Sequence, residues 1–501
     1  MTPFLADAAI PKLDLAPGAV SLLGWTLVGY VVFLLVVSIY ATGKVEDEAD
    51  YLVAGRRLPL FLAWGTLIAT WFGAAAMFAT AGAAREQGLL GVVLDPFACS
   101  ATLILAGIFY ARPLWKMGLY TMADFYRVIY GPIAEVVSAF IQVPAYFSWI
   151  GLQYTALAKI LELYFGIPLL MGILLVAAVT LLYTMIGGMW SVTLTDTIQI
   201  MIGFIGLVVL LVATLSQPQL GDGDPVRGLV TVFASVAQTH PGHLRFVPAE
   251  MSLAVLLGWL GTWATGLCGN IPGQDLQQRV FASKSPTTAM NACILAGVLY
   301  FFFGMIPVTI GLASLVTHPG KQLDPVGFLA GEYLSTGMLV VFVIAVMSMV
   351  VSTATSAVLA PATILGHNLL ARMPIFANRP LVRDRLCVVF VSLGGVAMAM
   401  WGKTLMQLLD VALSIQLVSL FVPVTMGIYG RPRGPLPGVL SMVLGIGAWL
   451  VTFTLEHFDG RIPEVLSTAV TTVPSDFWGL GFSILGYCLG QSLSTKRRTA
   501  S

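Results

Sequence analysis

The sequence has little charge. Of its 501 residues only 10% are Asp, Glu, Lys or Arg, while 58% are hydrophobic; a soluble domain carries roughly 25% charged residues. This excludes a water-soluble enzyme and a disordered chain. Lys and Arg total 25 against 24 acids, a net charge of +1, so no basic face is offered to a nucleic acid. Histidine is scarce. His240, His243, His318 and His457 fall in expected outside loops and His367 near an inside helix end. Cysteine is scarce too. Cys99, Cys268, Cys293, Cys387 and Cys488 stand at irregular spacing in apolar runs, which gives neither a metal pattern nor a disulfide framework and reads as small apolar packing. A basic leader is missing: before Ser21 the only Lys or Arg is Lys12. The first apolar run therefore reads as a retained membrane helix, not a cleaved signal.

What is abundant is apolar length. The mean hydropathy is +0.90, and runs of about 20 residues recur, each able to cross about 30 Å of hydrocarbon. Thirteen are expected, at 20–42, 60–84, 88–111, 131–163, 167–187, 191–215, 249–281, 287–316, 336–370, 386–402, 404–429, 436–456 and 474–494. The expected fold class is an all-α polytopic membrane protein, one domain over 1–501. The segment Gln217–Val247 reads as an outside loop with a short amphipathic helix near Val226–Val236, and 317–335 as a similar loop.

Lys and Arg placement orients the chain. With the N-terminus outside, the inside segments hold Lys44, Arg56, Arg57, Arg112, Lys116, Arg127, Arg279, Lys284, Arg372, Arg379, Arg383, Arg385, Arg431, Arg433, Lys496, Arg497 and Arg498. The outside holds Lys12, Arg85, Lys159, Arg227, Arg245, Lys321, Lys403 and Arg461. The excess predicts N-terminus outside and C-terminus inside, with an odd number of spans.

Several residues break membrane rules. Glycine interrupts two spanning runs, Leu67–Ala76 and Gly266–Asp275. Each opens a comparable five-helix block, 60–215 and 249–429, and paired broken helices point to a midplane binding site. Close packing through small residues is the other reading. Four hydroxyls, Ser352, Thr353, Thr355 and Ser356, crowd one apolar helix; with carbonyl oxygens they form a neutral set suited to a hard cation, or they bond back to their own helix. Asp196 follows Gly187-Gly188 and either caps a helix start or faces a cation path. Asp95, Asp275 and Asp410 are further intramembrane acids, and Glu86, Glu135 and Glu162 are expected near interfaces. Trp71 and Trp149, the latter beside Tyr146, lie mid-span, where they either pack or hold a cationic or apolar solute.

These residues taken together resemble the sodium:solute symporter family, which includes the sodium/glucose, proline and choline cotransporters. The likeness rests on Tyr51-Leu52-Val53-Ala54-Gly55-Arg56, Ala69-Thr70-Trp71-Phe72-Gly73, Gly187-Gly188-Met189-Trp190-Ser191-Val192 with Thr195-Asp196 and Gln199, Gln278-Arg279, and Ser352-Thr353-Ala354-Thr355-Ser356-Ala357, in that order over nearly the whole chain. Ala111-Arg112-Pro113, Tyr120-Thr121-Met122 and Ile271-Pro272-Gly273-Gln274 with Gln278-Arg279-Val280 resemble its choline-transporter branch.

The resemblance implies a leucine-transporter-like inverted repeat of five plus five helices, with 20–42 as an extra first helix and 436–494 as two extra last ones. It implies a sodium site formed by the carbonyls of Ala69, Phe72 and Met349 and the hydroxyls of Ser352 and Thr353, with Asp196 on the sodium pathway. Residues expected at the substrate are Trp71, Trp149, Gly273, Gln274 and Cys99. Gly273 stands where the choline branch has Trp, Cys99 where it has Tyr, and Thr355 where the family often has Asp. A cage so depleted implies weak hold on quaternary ammonium and room for another shape.

The expected function is sodium-coupled import of a small organic solute by alternating access across a bacterial inner membrane. Na+ is the coupling ion, and no enzymatic cofactor, catalytic residue or nucleic-acid partner is expected. Choline-like quaternary ammonium and amino-acid or carboxylate uptake are alternatives of the same class. A membrane solute sensor keeping the fold is another, with no output domain expected after Lys496-Arg497-Arg498-Thr499-Ala500-Ser501. A channel or a membrane enzyme fits the pattern less well.

Overall fold

A lipid-embedded backbone must satisfy its own hydrogen bonds, which leaves only helices or closed barrels. The computed structural model takes the helical solution. It describes residues 17–43, 46–376, 379–401, 405–457 and 472–499. Lys12, Lys44, Lys403, Arg461, Ala500, Ser501 and the expected run ends at 402 and 404 lie outside the described residues. Among the described residues the only β pairing is an isolated parallel bridge, Leu58 to Ser283.

Nine helical segments among the described residues are long and apolar enough to span, and a tenth forms when the bent pair Leu60–Trp71 and Ala75–Leu90, at 63°, counts as one. Three further expected runs are helical but fall short of that standard. Leu169–Leu182 is short, Pro380–Ala399 opens with Arg383, Asp384 and Arg385, and Ser475–Thr499 is rich in Gly and Ser. The loop helix expected near 226–236 is Pro225–Thr239, capped by Asp224, and the 317–335 loop carries Pro325–Tyr333.

The long helix that contains Asp196 shows how local sequence sets geometry. Leu169–Leu215 is continuous except at Gly188, where φ is 54° and ψ −154°. Only glycine adopts that conformation cheaply, and a Cβ there would lie 2.5 Å from the Tyr51 ring. The kink starts a new helix two turns before Asp196. That residue is therefore no N-terminal cap; it lies fully buried against the first broken span.

Polar clusters mark the two ends of the bundle. At one end Arg85 donates to Ser314 Oγ at 3.0 Å and to the carbonyls of His318 and Lys321 at 2.6 Å, while His318 pairs with Glu332 at 3.0 Å. At the other, buried Glu135 pairs with Arg372 and, at 3.7 Å, with Arg127. There too Glu48 meets His367 at 3.1 Å and Arg383 at 3.3 Å. The helix Pro132–Phe165 connects them: Glu135 lies at its start, and Tyr164 near its end bonds Gly327 O. Its 34 residues reach about 50 Å at 1.5 Å each.

Candidate functional site

The first break is made by three residues. The helix Leu60–Trp71 stops at Phe72, whose φ of −81° and ψ of 71° make an inverse γ-turn. The amide of Gly73 then bonds Trp71 O at 2.9 Å. In a continuous helix it would have bonded Ala69 O four residues back. The amide of Ala74, which would have gone to Thr70 O, goes instead to Gln153 Oε1 at 3.0 Å. The carbonyls of Ala69 and Thr70 are thus released from the helix ladder.

The hydroxyl helix, Thr336–Ile364, closes on the released Ala69 carbonyl. Thr353 Oγ1 lies 3.0 Å from Ala69 O and 3.1 Å from Met349 O, and Ser352 Oγ lies 3.3 Å from Ala69 O. Four of the five expected sodium ligands are therefore joined in one chain of hydrogen bonds, and all are buried. Phe72, the fifth, is the residue at which the helix stops. Gly73 permits the approach: a Cβ there would stand 2.5 Å from Thr353 Oγ1 and 2.8 Å from Gln153 Oε1. Thr355 takes the other fate foreseen for these hydroxyls, bonding back to Ser352 O at 2.9 Å.

Asp196 adjoins this oxygen cluster. It accepts hydrogen bonds from Ser352 Oγ and, at 2.5 Å, from Thr66 Oγ1. Arg279, fully buried in the second broken span, pairs with it at 3.8 Å. The guanidinium also donates to Thr66 Oγ1 at 3.2 Å, Asp275 O at 2.7 Å and Ser356 Oγ at 2.6 Å. An ionised side chain at membrane depth costs about 2.5–3.5 kcal/mol, and each hydrogen bond to a charge returns about 1.5–3 kcal/mol. Two hydroxyls and a guanidinium offset the burial of Asp196. Arg279, read in the sequence as one of the inside cations and as part of the Gln278-Arg279 motif, is instead buried in this pair.

Beyond the break lies a narrow cavity of about 30 Å³, wide enough for a water. Trp71 and Ala75 come from the first broken span, Asp95 and Cys99 from the next segment, Ala145, Tyr146 and Trp149 from Pro132–Phe165, Asn270 and Asp275 from the second break, Tyr300 from Pro286–Thr317, and Leu409, Ala412, Leu413 and Gln416 from Leu405–Gln416. Of the expected substrate residues, Trp71, Trp149 and Cys99 line it. Gly273 and Gln274 do not. The Gln274 side chain turns away, accepting from Met122 N at 2.7 Å. Gly273 borders the cavity indirectly: a Cβ there would lie 2.8 Å from Asp275 Oδ1 and 3.3 Å from Gln416 Oε1.

Aromatic side chains and acids hold each other in the wall. Trp71 Nε1 donates to Asp275 Oδ2 at 2.5 Å and Tyr146 Oη to Asp275 Oδ1. Tyr300 Oη sits 3.0 and 3.1 Å from the two oxygens of Asp95. Among the described residues the Asp95 carboxylate has only that phenol as donor, so its burial is at best balanced. Asp410, the remaining acid of that set, takes no part in the lining. Tyr300 and Gln416 carried no sequence signal beyond lying mid-run.

The second interruption is gentler than the first. Residues 270–273 leave the helix between Leu253–Gly269 and Gln274–Ala282, yet Leu253–Ala282 still passes as one span. The two broken spans are tied directly: Leu58 N bonds Ala282 O and Lys284 N bonds Leu58 O, both at 3.0 Å.

Discontinuous helices meeting at a buried oxygen cluster, beside a cavity lined by aromatic rings and carboxylates, are the architecture of a multi-pass helical membrane transporter. The chain belongs to the sodium:solute symporter family, whose model matches residues 51–429. High affinity choline transporter 1 of Homo sapiens is 25% identical over 475 residues, 87% of this chain and 80% of the relative. The Sodium/glucose cotransporter of Vibrio parahaemolyticus is 26% identical over 310 residues, 59% of this chain and 55% of the relative. A solved Na+-coupled sialic acid symporter, in a substrate-bound outward-open state, matches with a TM-score of 0.75 at 16% identity, covering 93% of this chain and 97% of that one. At that identity the likeness concerns the fold.

Proposed function

We propose that the chain is a sodium-coupled symporter that imports a small organic solute by alternating access. The observation that carries this is the Ala69 carbonyl, freed by the break and met by the hydroxyls of Ser352 and Thr353 from another helix. Neutral oxygens in that arrangement suit a small hard cation. Ala69, Phe72, Met349, Ser352 and Thr353 are assigned to sodium, and Asp196 to its pathway. Sodium binding then draws the hydroxyl helix onto the first broken span. The solute binds beside it, against Trp71, Trp149 and Cys99, with Gly273 in the second break and Gln274 bracing that break from behind.

The reading includes an inverted repeat over 60–215 and 249–429, with 20–42 before it and 436–494 after. On this reading the Glu48–Glu135 end faces inside, supported by the Lys and Arg excess, and the membrane is a bacterial inner membrane. Inward movement of sodium down an inside-negative potential supplies about 2.3 kcal/mol per charge per 100 mV.

Uptake of radiolabelled solute into proteoliposomes, with and without an inward sodium gradient, tests it. Uptake that runs equally well in potassium overturns it. The aromatic faces of Trp71, Tyr146 and Trp149 favour a cationic solute, and choline is the first compound to assay, given the choline transporters among the relatives. Carboxylate uptake has less support, because Lys, Arg and His are absent from the cavity lining among the described residues.

A further inference from the structure

We propose that the cavity selects a protonated nitrogen base bearing several N–H donors, a primary ammonium, amidinium or guanidinium on a small apolar body, over a quaternary ammonium. This deepens the symport reading and rests on it for the transport step alone.

Charge is the first observation. Two carboxylates, Asp95 and Asp275, line the cavity, and among the described residues no cationic side chain does. The guanidinium of Arg279 is turned to Asp196, Thr66, Ser356 and a backbone carbonyl. Carboxylates in a low-dielectric wall call for a counter-charge, and an anionic or neutral solute brings none.

A surplus of acceptors is the second, independent observation. Gln416 is 5% exposed, lines the cavity, and its Oε1 has no donor among the described residues. The carboxylate of Asp95 shares a single phenol between both oxygens. Each oxygen of Asp275 has one side-chain donor, which leaves it a further lone pair. The amide nitrogen of Asn270 donates to Gly266 O at 3.0 Å and to Cys99 Sγ at 3.9 Å, so it serves none of these acceptors. A quaternary ammonium offers no N–H to any of these acceptors, and a buried acceptor without a donor is costly. A forked or three-donor head group satisfies them.

Shape agrees. A Cβ on Gly273 would stand 2.8 Å from Asp275 Oδ1 and 3.3 Å from Gln416 Oε1, so the two acceptors lie near each other and glycine is what lets them. Trp71 and Trp149 are left to cover the apolar body of the solute.

The test is binding to the purified full chain, with sodium, of four probes on one butyl scaffold: butylamine, butylguanidine, butyltrimethylammonium and butyrate. We expect butylamine or butylguanidine to bind at least about tenfold more tightly than butyltrimethylammonium, with no binding of butyrate. Asp275→Asn and Gln416→Leu should each shrink that preference, while the sodium-induced thermal shift persists and reports an intact fold. Equal or tighter binding of butyltrimethylammonium overturns the proposal, as does failure of both N–H probes to bind. So does an Asp275→Asn variant that changes sodium dependence and leaves the amine preference whole, because the acid then serves a cation site. The two readings fail separately. Selective binding of an N–H probe without sodium-driven uptake sinks symport alone; sodium-driven uptake of butyltrimethylammonium in preference sinks the head-group assignment alone.

Discussion

The side-chain oxygen of Gln153 accepts the amide of Ala74 at 3.0 Å, replacing the hydrogen bond that an unbroken helix would give to Thr70. The break thus depends on a residue from a different helix. Gln153→Leu leaves a buried amide unpaired and should cost about 1–3 kcal/mol, whereas Gln153→Glu, neutral at that depth, keeps an acceptor and should cost less. Thermal unfolding of both variants in detergent checks this. Equal losses would show that the amide bond is not what matters.

The hydroxyls should separate by role. Ser352→Ala or Thr353→Ala should raise the sodium concentration for half-maximal uptake several-fold. Thr355→Ala should leave it near wild type, because that hydroxyl bonds to its own helix at Ser352 O. Sodium titration of uptake measures all three, and an unchanged value in the first two would remove the ligand assignment.

Asp196 and Arg279 form a fully buried pair. Removing one partner strands the other charge, at a cost of about 3–5 kcal/mol. Arg279→Met alone should therefore destabilise strongly, and adding Asp196→Asn should recover part of the loss. Denaturation of the single and double variants gives the coupling directly.

Acid should loosen the end that holds Glu48 and Asp124. His367 hydrogen-bonds Glu48 and, against the upward push of partial burial, holds its carboxyl below the usual range. Burial raises Asp124, but His367 and Asn368 outweigh it, so it too is held low. A carboxyl depressed in the folded state contributes stability that is complete above its unfolded value, near 4, and is lost as pH falls through the folded one. The melting temperature of wild type should drop more steeply below about pH 4 than that of a Glu48→Gln, Asp124→Asn double variant. Parallel curves would contradict this.

Much of the centre was legible because it violates rules the bilayer enforces. Glycines at Gly73 and Gly188, four clustered hydroxyls and acids at 95, 196 and 275 stand out against apolar runs, and all reach the oxygen cluster, the kink beside it or the cavity. What stayed hidden is direction. A membrane helix buries apolar side chains on lipid and protein faces alike, so hydropathy does not say which way Tyr300, Gln416 or Gln274 turns. Gln274, expected at the solute, points to Met122 N, while its neighbour Asp275 reaches the cavity. The second break, paired with the first in the sequence, bends the span less, although four residues, 270–273, leave the helix there.

A hydroxyl has a single hydrogen to give. Ser352 stands between two takers, Ala69 O and the carboxylate of Asp196. A cation seated on Ala69 O would claim the lone pairs of Ser352 and turn its hydrogen wholly toward Asp196. The pull of Asp196 on Arg279 would ease, and Arg279 holds Ser356 and the Asp275 backbone. News of an arriving ion would then cross from one broken helix to the other through the rotation of one O–H bond, with no backbone obliged to move first.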